Sequence, residues 1–445
     1  MIKGVDHMSI LPVIVIGSGP VGLAAAAELA ERGLPFIVLE KGPRPAFAVE
    51  SWGHVRLFSP WSFNVAPAAE RLLATTGWRR PPGAVHPTGR DLLDLYLKPL
   101  AAHAALAPAL VFDAEVTAVA RAGTDRVRNE GRQAKPFLVR YRKDGSEQEV
   151  RASAVIDTSG TWSSPNRSVS GSLGAVGETA PDVARHISYA MPDVLGAGRR
   201  RFAGRKVGVL GSGHSAIGTL LDLAKLADAE PGTSVVWLLR SEAIDPAFRE
   251  GARDQLAARG ALSVDAARVV DSGKVEVQTG IRLAAIEPRT GGLRLVTEAG
   301  STIDLDELVV ATGFRPDHAL AGELRLDLDP ALECPTGLAP LIDPNLHSCG
   351  TVRPHGEALL AHPDRGYYIA GMKSYGRAPT FLMATGHEQV RSIVAHLAGD
   401  TVAAARVELV LPETGVCSSS LPAAAAQPSA SSCCGAKPKL LETLG

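Results

Sequence analysis

Cysteine is scarce. The chain holds 5 among 445 residues, and the first is Cys334. Thiols so few and so scattered exclude a disulfide scaffold. Net charge is lacking too: 46 Lys+Arg against 47 Asp+Glu leave a formal charge of -1, so no global field draws nucleic acid or an anionic membrane. No uninterrupted apolar run reaches the ~20 residues that cross a bilayer. The first strand pattern opens at Val13, so close behind Met1 that no length is left upstream for a signal peptide. These absences point to a cytoplasmic protein with free thiols and with neither nucleic-acid nor membrane partners. What is present is ordinary for a globular chain, 45% hydrophobic and 21% charged, and the length asks for two or three domains.

Glycine marks the informative places. The apolar run Val13-Ile14-Val15-Ile16 leads into Gly17-Ser18-Gly19-Pro20-Val21-Gly22, and far downstream Lys206-Val207-Gly208-Val209-Leu210 leads into Gly211-Ser212-Gly213-His214-Ser215-Ala216. Each is a strand, a glycine turn and a helix start, the context in which such a turn cradles a pyrophosphate. In the first, Gly17 permits the turn, Gly19 lets backbone approach the phosphates, and Gly22 lets helix and strand pack closely. The helix Pro20 to Arg32 would face the phosphates with its positive end. A second strand, Phe36-Ile37-Val38-Leu39, ends in Glu40, an acid placed to accept from a ribose diol. The second unit differs at that position. Its strand Ser234-Val235-Val236-Trp237-Leu238-Leu239 ends in Arg240-Ser241, a pair suited to a 2′-phosphate. Two such units predict two dinucleotides, FAD on the first and NADPH on the second, and an α/β fold of two Rossmann-like domains.

Both units close on a buried strand that runs into small residues. In the first this is Ala154 to Trp162, with Gly160 in the turn; in the second it is Leu308 to Val310 followed by Ala311-Thr312-Gly313-Phe314. Between Gly42 and Pro108 the chain reads as short helices; the clearest is Asp91 to Ala105, which Pro99 should kink or split. Val111 to Val119 reads as one strand, and Phe137 to Val150 as a hairpin around Lys143-Asp144-Gly145. Tyr367 to Gly371 makes one more strand, followed by a helix from Thr380 to Leu397. The expected division is a FAD domain in two pieces, 1–195 and 306–410, with an NADPH domain, 196–305, inserted between them. The remainder, 411–445, is a low-complexity tail carrying Cys417, Cys433 and Cys434. The spacing of His347, Cys349, His355 and His362 fits no zinc template and reads as an ordinary loop.

On these motifs, with Glu40-Lys41-Gly42 and Ala311-Thr312-Gly313-Phe314-Arg315-Pro316, the chain up to about Asp400 resembles the two-dinucleotide-domain flavoproteins, within them the flavin-containing monooxygenases. Gly371-Met372-Lys373-Ser374-Tyr375-Gly376-Arg377-Ala378-Pro379-Thr380-Phe381 and the cysteine tail resemble a bacterial subgroup associated with arsenic resistance. The resemblance implies that Glu40 holds the adenosine ribose, that Val116 meets the adenine, and that the Gly371-Met372 turn lies by the flavin ring. It departs in two places. Of the short Phe, Gly and His fingerprint before the second glycine motif, only Gly171, His186 and Tyr189 are present. Met372 stands where an Asp often contacts the flavin side chain, so another group must satisfy that hydroxyl.

Three functions follow. The first is an NADPH-dependent FAD monooxygenase or oxidase that uses O₂ on a small, soft nucleophilic substrate, with Lys373, Tyr375 and Arg377 lining the flavin or steering an anionic group. The second is a disulfide or metal-ion reductase. No Cys pair follows the first unit and no Cys-x-x-Cys lies in the NADPH domain, so only Cys433-Cys434 could relay its electrons. The third is metalloid capture: three thiolates at Cys417, Cys433 and Cys434 suit trivalent arsenic, a soft ion.

Overall fold

In the computed structural model, residues 11–244, 257–346, 354–378 and 381–409 are described. Two five-stranded parallel sheets organise them. The first runs in the order Tyr367–Ile369, Ala154–Asp157, Val13–Ile16, Phe36–Leu39, Leu110–Val111. The second runs Val275–Gln278, Ser234–Leu238, Lys206–Leu210, Glu307–Val310, Ile187–Tyr189. Parallel strands buried on both faces read as continuous apolar runs rather than alternating ones, and Val13–Ile16, Ala154–Asp157 and Glu307–Val310 are buried throughout. Each sheet carries a three-stranded antiparallel meander, Glu115–Arg121 with Phe137–Lys143 and Ser146–Ala152 on the first, and Leu283–Arg289 with Gly292–Thr297 and Thr302–Leu305 on the second.

In both sheets the glycine strand is central and its neighbours arrive from opposite sides. That is the topological switch point at which open α/β sheets bind ligands, beyond the carboxyl ends of the strands. The first helix, Pro20–Glu31, is alanine-rich, and Ala24 to Ala27 are completely buried. Such a narrow helix lets Met383–Leu397 pack over it in the same core; a Cβ on Gly386 would stand 2.6 Å from the Val21 side chain.

One expectation changes. Residues 111–119 are not one strand: Leu110–Val111 ends the first sheet, Asp113 takes a left-handed turn with φ 52, and Glu115–Arg121 opens the meander. Apolar alternation alone does not register a change of sheet. The helix at Asp91 is split as Pro99 requires, into Gly89–Leu92, a π-turn Leu93–Leu97 and Lys98–Ala101. Pro99 has no N–H to offer Leu95, and the Trp78 indole donates to that carbonyl at 2.7 Å instead. Glu307–Val310 pairs within the second sheet, as the strand closing the second unit should, and Ile187–Tyr189 pairs beside it.

Candidate active site

The carboxyl ends of both sheets open on one cleft of about 2210 Å³. That exceeds the ~300–1,000 Å³ of a pocket for one drug-sized ligand and leaves room for two large ones. Gly17, Gly19 and Pro20 line it from one side, Gly211, Ser212, Gly213, His214 and Ser215 from the other.

The three glycines of the first loop serve different purposes. Gly17 has φ +94, a conformation that side chains avoid. A Cβ on Gly22 would stand 2.0 Å from the Gly17 carbonyl oxygen, so Gly22 keeps helix and turn together. A Cβ on Gly19 would meet nothing within 4 Å; the space beside it is open cleft. The helix behind it has no side-chain cap and no acid in its first turn, so its positive end faces the cleft uncompensated. Glu40 lines the cleft and is fixed in place: Oε2 accepts from Ser18 N at 2.7 Å and Ser18 Oγ at 2.8 Å, and Oε1 accepts from Gly42 N at 2.8 Å. Oε1 keeps capacity for a further donor. Ser18 is fully buried and acts through Glu40 rather than from the cleft surface. Lys41, Val116 and Gly160 also line the cleft.

The second loop repeats the plan. Gly211 has φ +135, and a Cβ there would stand 2.4 Å from Ala311 O, while Gly213 again faces open space. Ala216 is buried in the helix packing and does not reach the cleft. His214 opens the helix His214–Ala229 and meets Phe58 edge-on at 5.2 Å. Arg240 and Ser241 line the cleft; Arg240 is exposed and donates to Ser170 Oγ at 2.8 Å. The turn Ala311, Thr312 and Gly313 lines it too, tied down by Asn166. From the two strand ends Trp162 and Phe314 meet, stacked at 5.0 Å, with Trp52 6.4 Å beyond Trp162. All three line the cleft between the loops.

The segment after the last strand divides. Gly371, Met372 and Arg377 line the cleft, whereas Lys373 and Tyr375 are not among the lining residues. Lys373 turns inward, 1% exposed, and donates to Asp157 Oδ2 at 2.6 Å and Ser159 Oγ at 3.2 Å. Burial pushes the Asp157 carboxyl up, but the Lys373 ammonium and the hydrogen bonds from Lys373 and Ser159 outweigh it and hold it below the usual range. Tyr375 is buried, which pushes its hydroxyl up. Arg377 donates to Glu333 at 2.8 Å, so its charge is offset. The sequence reading passed over Asp157, Ser159, Trp52, Phe58 and Trp162 as site residues. The signal for the first was available: an Asp ending the apolar run Ala154-Val155-Ile156 has to be paired once buried.

Among the described residues no cysteine lines the cleft. Cys334 is buried elsewhere in the core, its thiol pushed up to about 12 by burial. Cys417, Cys433 and Cys434 lie outside the described residues, as do His347 and Cys349. His355 and His362 hold hydrogen bonds to Gln389 and Asp327, and no group of three His, Cys, Asp or Glu among the described residues could hold a metal. No described helix is long and apolar enough to cross a membrane.

Residues 14–332 match the model of one protein family, pyridine nucleotide-disulphide oxidoreductase. The chain belongs to this family. It is an FAD-dependent oxidoreductase with FAD and NADPH as cofactors, in agreement with its two glycine loops and the open space beside Gly19 and Gly213. No curated protein matches the sequence. Solved structures share the fold at low identity. The bacillithiol disulfide reductase of Bacillus cereus is 19% identical with a TM-score of 0.63, over 88% of this chain and 99% of that one. The cadaverine monooxygenase of desferrioxamine biosynthesis from Erwinia amylovora is 15% identical at 0.58, over 92% and 100%. The ornithine N-hydroxylase of Kutzneria is 18% identical at 0.55, over 88% and 98%.

Proposed function

We propose that this oxidoreductase is an NADPH-dependent monooxygenase or oxidase that passes electrons to O₂ and oxidises a small, soft nucleophile, a trivalent arsenical among them. The observation that carries the first part is the cleft itself: both glycine loops line one continuous space, and among the described residues no thiol enters it. FAD and NADPH bound there supply two-electron transfer; the chain supplies orientation and dryness. Arg240 and Ser241 read the 2′-phosphate. Glu40 holds the adenosine ribose of FAD, and the aromatic run Trp52, Trp162 and Phe314 excludes water between the loops. The arsenical is supported by the tail, since Cys417, Cys433 and Cys434 form a soft donor set.

The experiment is a product balance on the full chain and on a form truncated after Thr414. NADPH oxidation is measured with O₂ uptake, hydrogen peroxide, oxidised arsenical and newly formed thiol. The expected outcome is O₂ uptake matched to NADPH in both forms, with tight arsenite binding lost on truncation. Disulfide-dependent NADPH oxidation that disappears with the tail would replace this reading with a reductase. Unchanged arsenite affinity would remove the arsenical.

A further inference from the structure

The pair formed by Asp157 and Lys373 is buried to within 1% of its side-chain surface. Taking two charges out of water is costly, and such a pair is weak evidence for stability by itself. Its surroundings show where it acts. Asp157 ends one strand of the first sheet and Lys373 follows the neighbouring strand, whose Ile369 is in register with Asp157. Three contacts of the pair converge on Ser159, and a fourth comes from Tyr367. Asp157 Oδ1 accepts from Ser159 N at 3.0 Å and Ser159 Oγ at 2.6 Å, Oδ2 accepts from Tyr367 OH at 3.0 Å, and Lys373 Nζ donates to Ser159 Oγ at 3.2 Å.

A serine hydroxyl has one proton and two lone pairs. The proton of Ser159 goes to Asp157, and one lone pair receives Lys373. One lone pair remains, on a residue that lines the cleft. The other side chains at these two strand ends offer less. Thr158 Oγ1 is turned back onto the carbonyls of Ile16 and Gly17, and Met372 presents a thioether, a weak acceptor. Ser159 is thus the oriented side-chain acceptor of this corner, its hydroxyl fixed before any ligand arrives.

We infer that Ser159 accepts a hydrogen bond from a hydroxyl of the polyhydroxyl chain that joins the flavin ring of FAD to its phosphates, with Asp157 and Lys373 as its positioning residues. The inference rests on the reading that FAD occupies the first glycine loop.

The test uses protein stripped of flavin and titrated with FAD, with FMN, which carries the polyhydroxyl chain and the ring, and with ADP, which carries neither. Ser159→Ala leaves Asp157 its bonds from Ser159 N, Tyr367 and Lys373, so the fold survives. It weakens FAD and FMN by about 3- to 10-fold, the worth of one hydrogen bond, and leaves ADP unchanged. Lys373→Met/Asp157→Asn removes both charges together and the Lys373 donor, keeps an amide acceptor for the Ser159 hydroxyl, and gives a smaller loss that is again selective for FAD and FMN. Met372→Asp in the Ser159→Ala background supplies a new acceptor at the neighbouring turn and restores FMN affinity. An equal loss for ADP, or no loss for FMN, overturns the inference. A wild-type protein that binds neither FAD nor FMN overturns the cofactor reading itself.

Discussion

Gly19→Val and Gly22→Ala, two substitutions in the same fingerprint, should fail in opposite ways. At Gly22 the added Cβ would stand 2.0 Å from Gly17 O and 2.7 Å from Thr158 Oγ1, and the latter is itself bonded to the Gly17 carbonyl at 3.1 Å. Both obstacles sit inside the turn, so the backbone has to move. Overpacking of this kind costs about 1–3 kcal/mol or more. At ~2–4 °C per kcal/mol for a larger domain, that is a loss of several degrees in Tm. At Gly19 the backbone is extended, φ -67 and ψ -175, a conformation open to any residue. The Cβ meets no protein atom within 4 Å, so the flavin-free protein should melt within ~0.5 kcal/mol of wild type, as uncrowded surface changes do. The valine instead fills the space through which backbone approaches a pyrophosphate. Thermal melts of flavin-free protein, paired with flavin absorbance of the purified protein, separate the two. Gly19→Val should melt normally and purify colourless. A Gly19→Val protein that holds stoichiometric FAD, or whose flavin-free form melts as low as Gly22→Ala, refutes the reasoning.

Arg240→Ala should raise KM for NADPH by roughly 5- to 30-fold, about 1–2 kcal/mol for one exposed charge-assisted contact, and leave NADH unchanged; equal effects on both would remove Arg240 from the 2′-phosphate. Trp78→Phe strips the Leu95 carbonyl of its donor and should cost about 1 kcal/mol in urea unfolding. Pro99→Ala, which returns a backbone N–H to that turn, should reduce the cost, and an unreduced cost would mean that the indole bond is incidental. His362 and His387 are buried, which lowers each from 6.5 to about 4. Unfolded, they take up protons that the folded chain refuses, so their contribution is complete above about pH 6.5 and is lost as pH falls towards 4. The unfolding free energy should decline by up to ~1.4 kcal/mol per pH unit per histidine in that window. Substituting Gln at both positions should flatten the slope, and a slope that persists would place the titration elsewhere.

How much of this was legible in the sequence follows from the range over which each feature is decided. The glycine loops, Glu40, Arg240 and the strand–turn–helix order are local. A turn that needs φ +94 at Gly17 or a Cβ-free contact at Gly22 writes glycine at fixed spacing, and the fold class follows from it. The split at Pro99 was legible for the same reason, since a missing N–H acts one turn away. The indole that replaces it comes from Trp78, outside that turn, and no helical pattern announces it.

The tertiary structure decided which side of each element faces the cleft. Lys373, Tyr375 and Arg377 form one short basic and aromatic segment in sequence. In space Lys373 is drawn inward because Asp157, on a strand more than two hundred residues earlier, is buried and needs a counter-charge. Arg377 stays at the cleft but is answered by Glu333. Periodicity likewise ran Val111 to Val119 together, because strands of two sheets share one alternation. Sequence by itself therefore determined two dinucleotide units and the chemistry of their loops, since those are set by backbone sterics within a few residues. Only the fold decided which charges meet, because desolvation acts between whatever the packing brings together, at any distance along the chain.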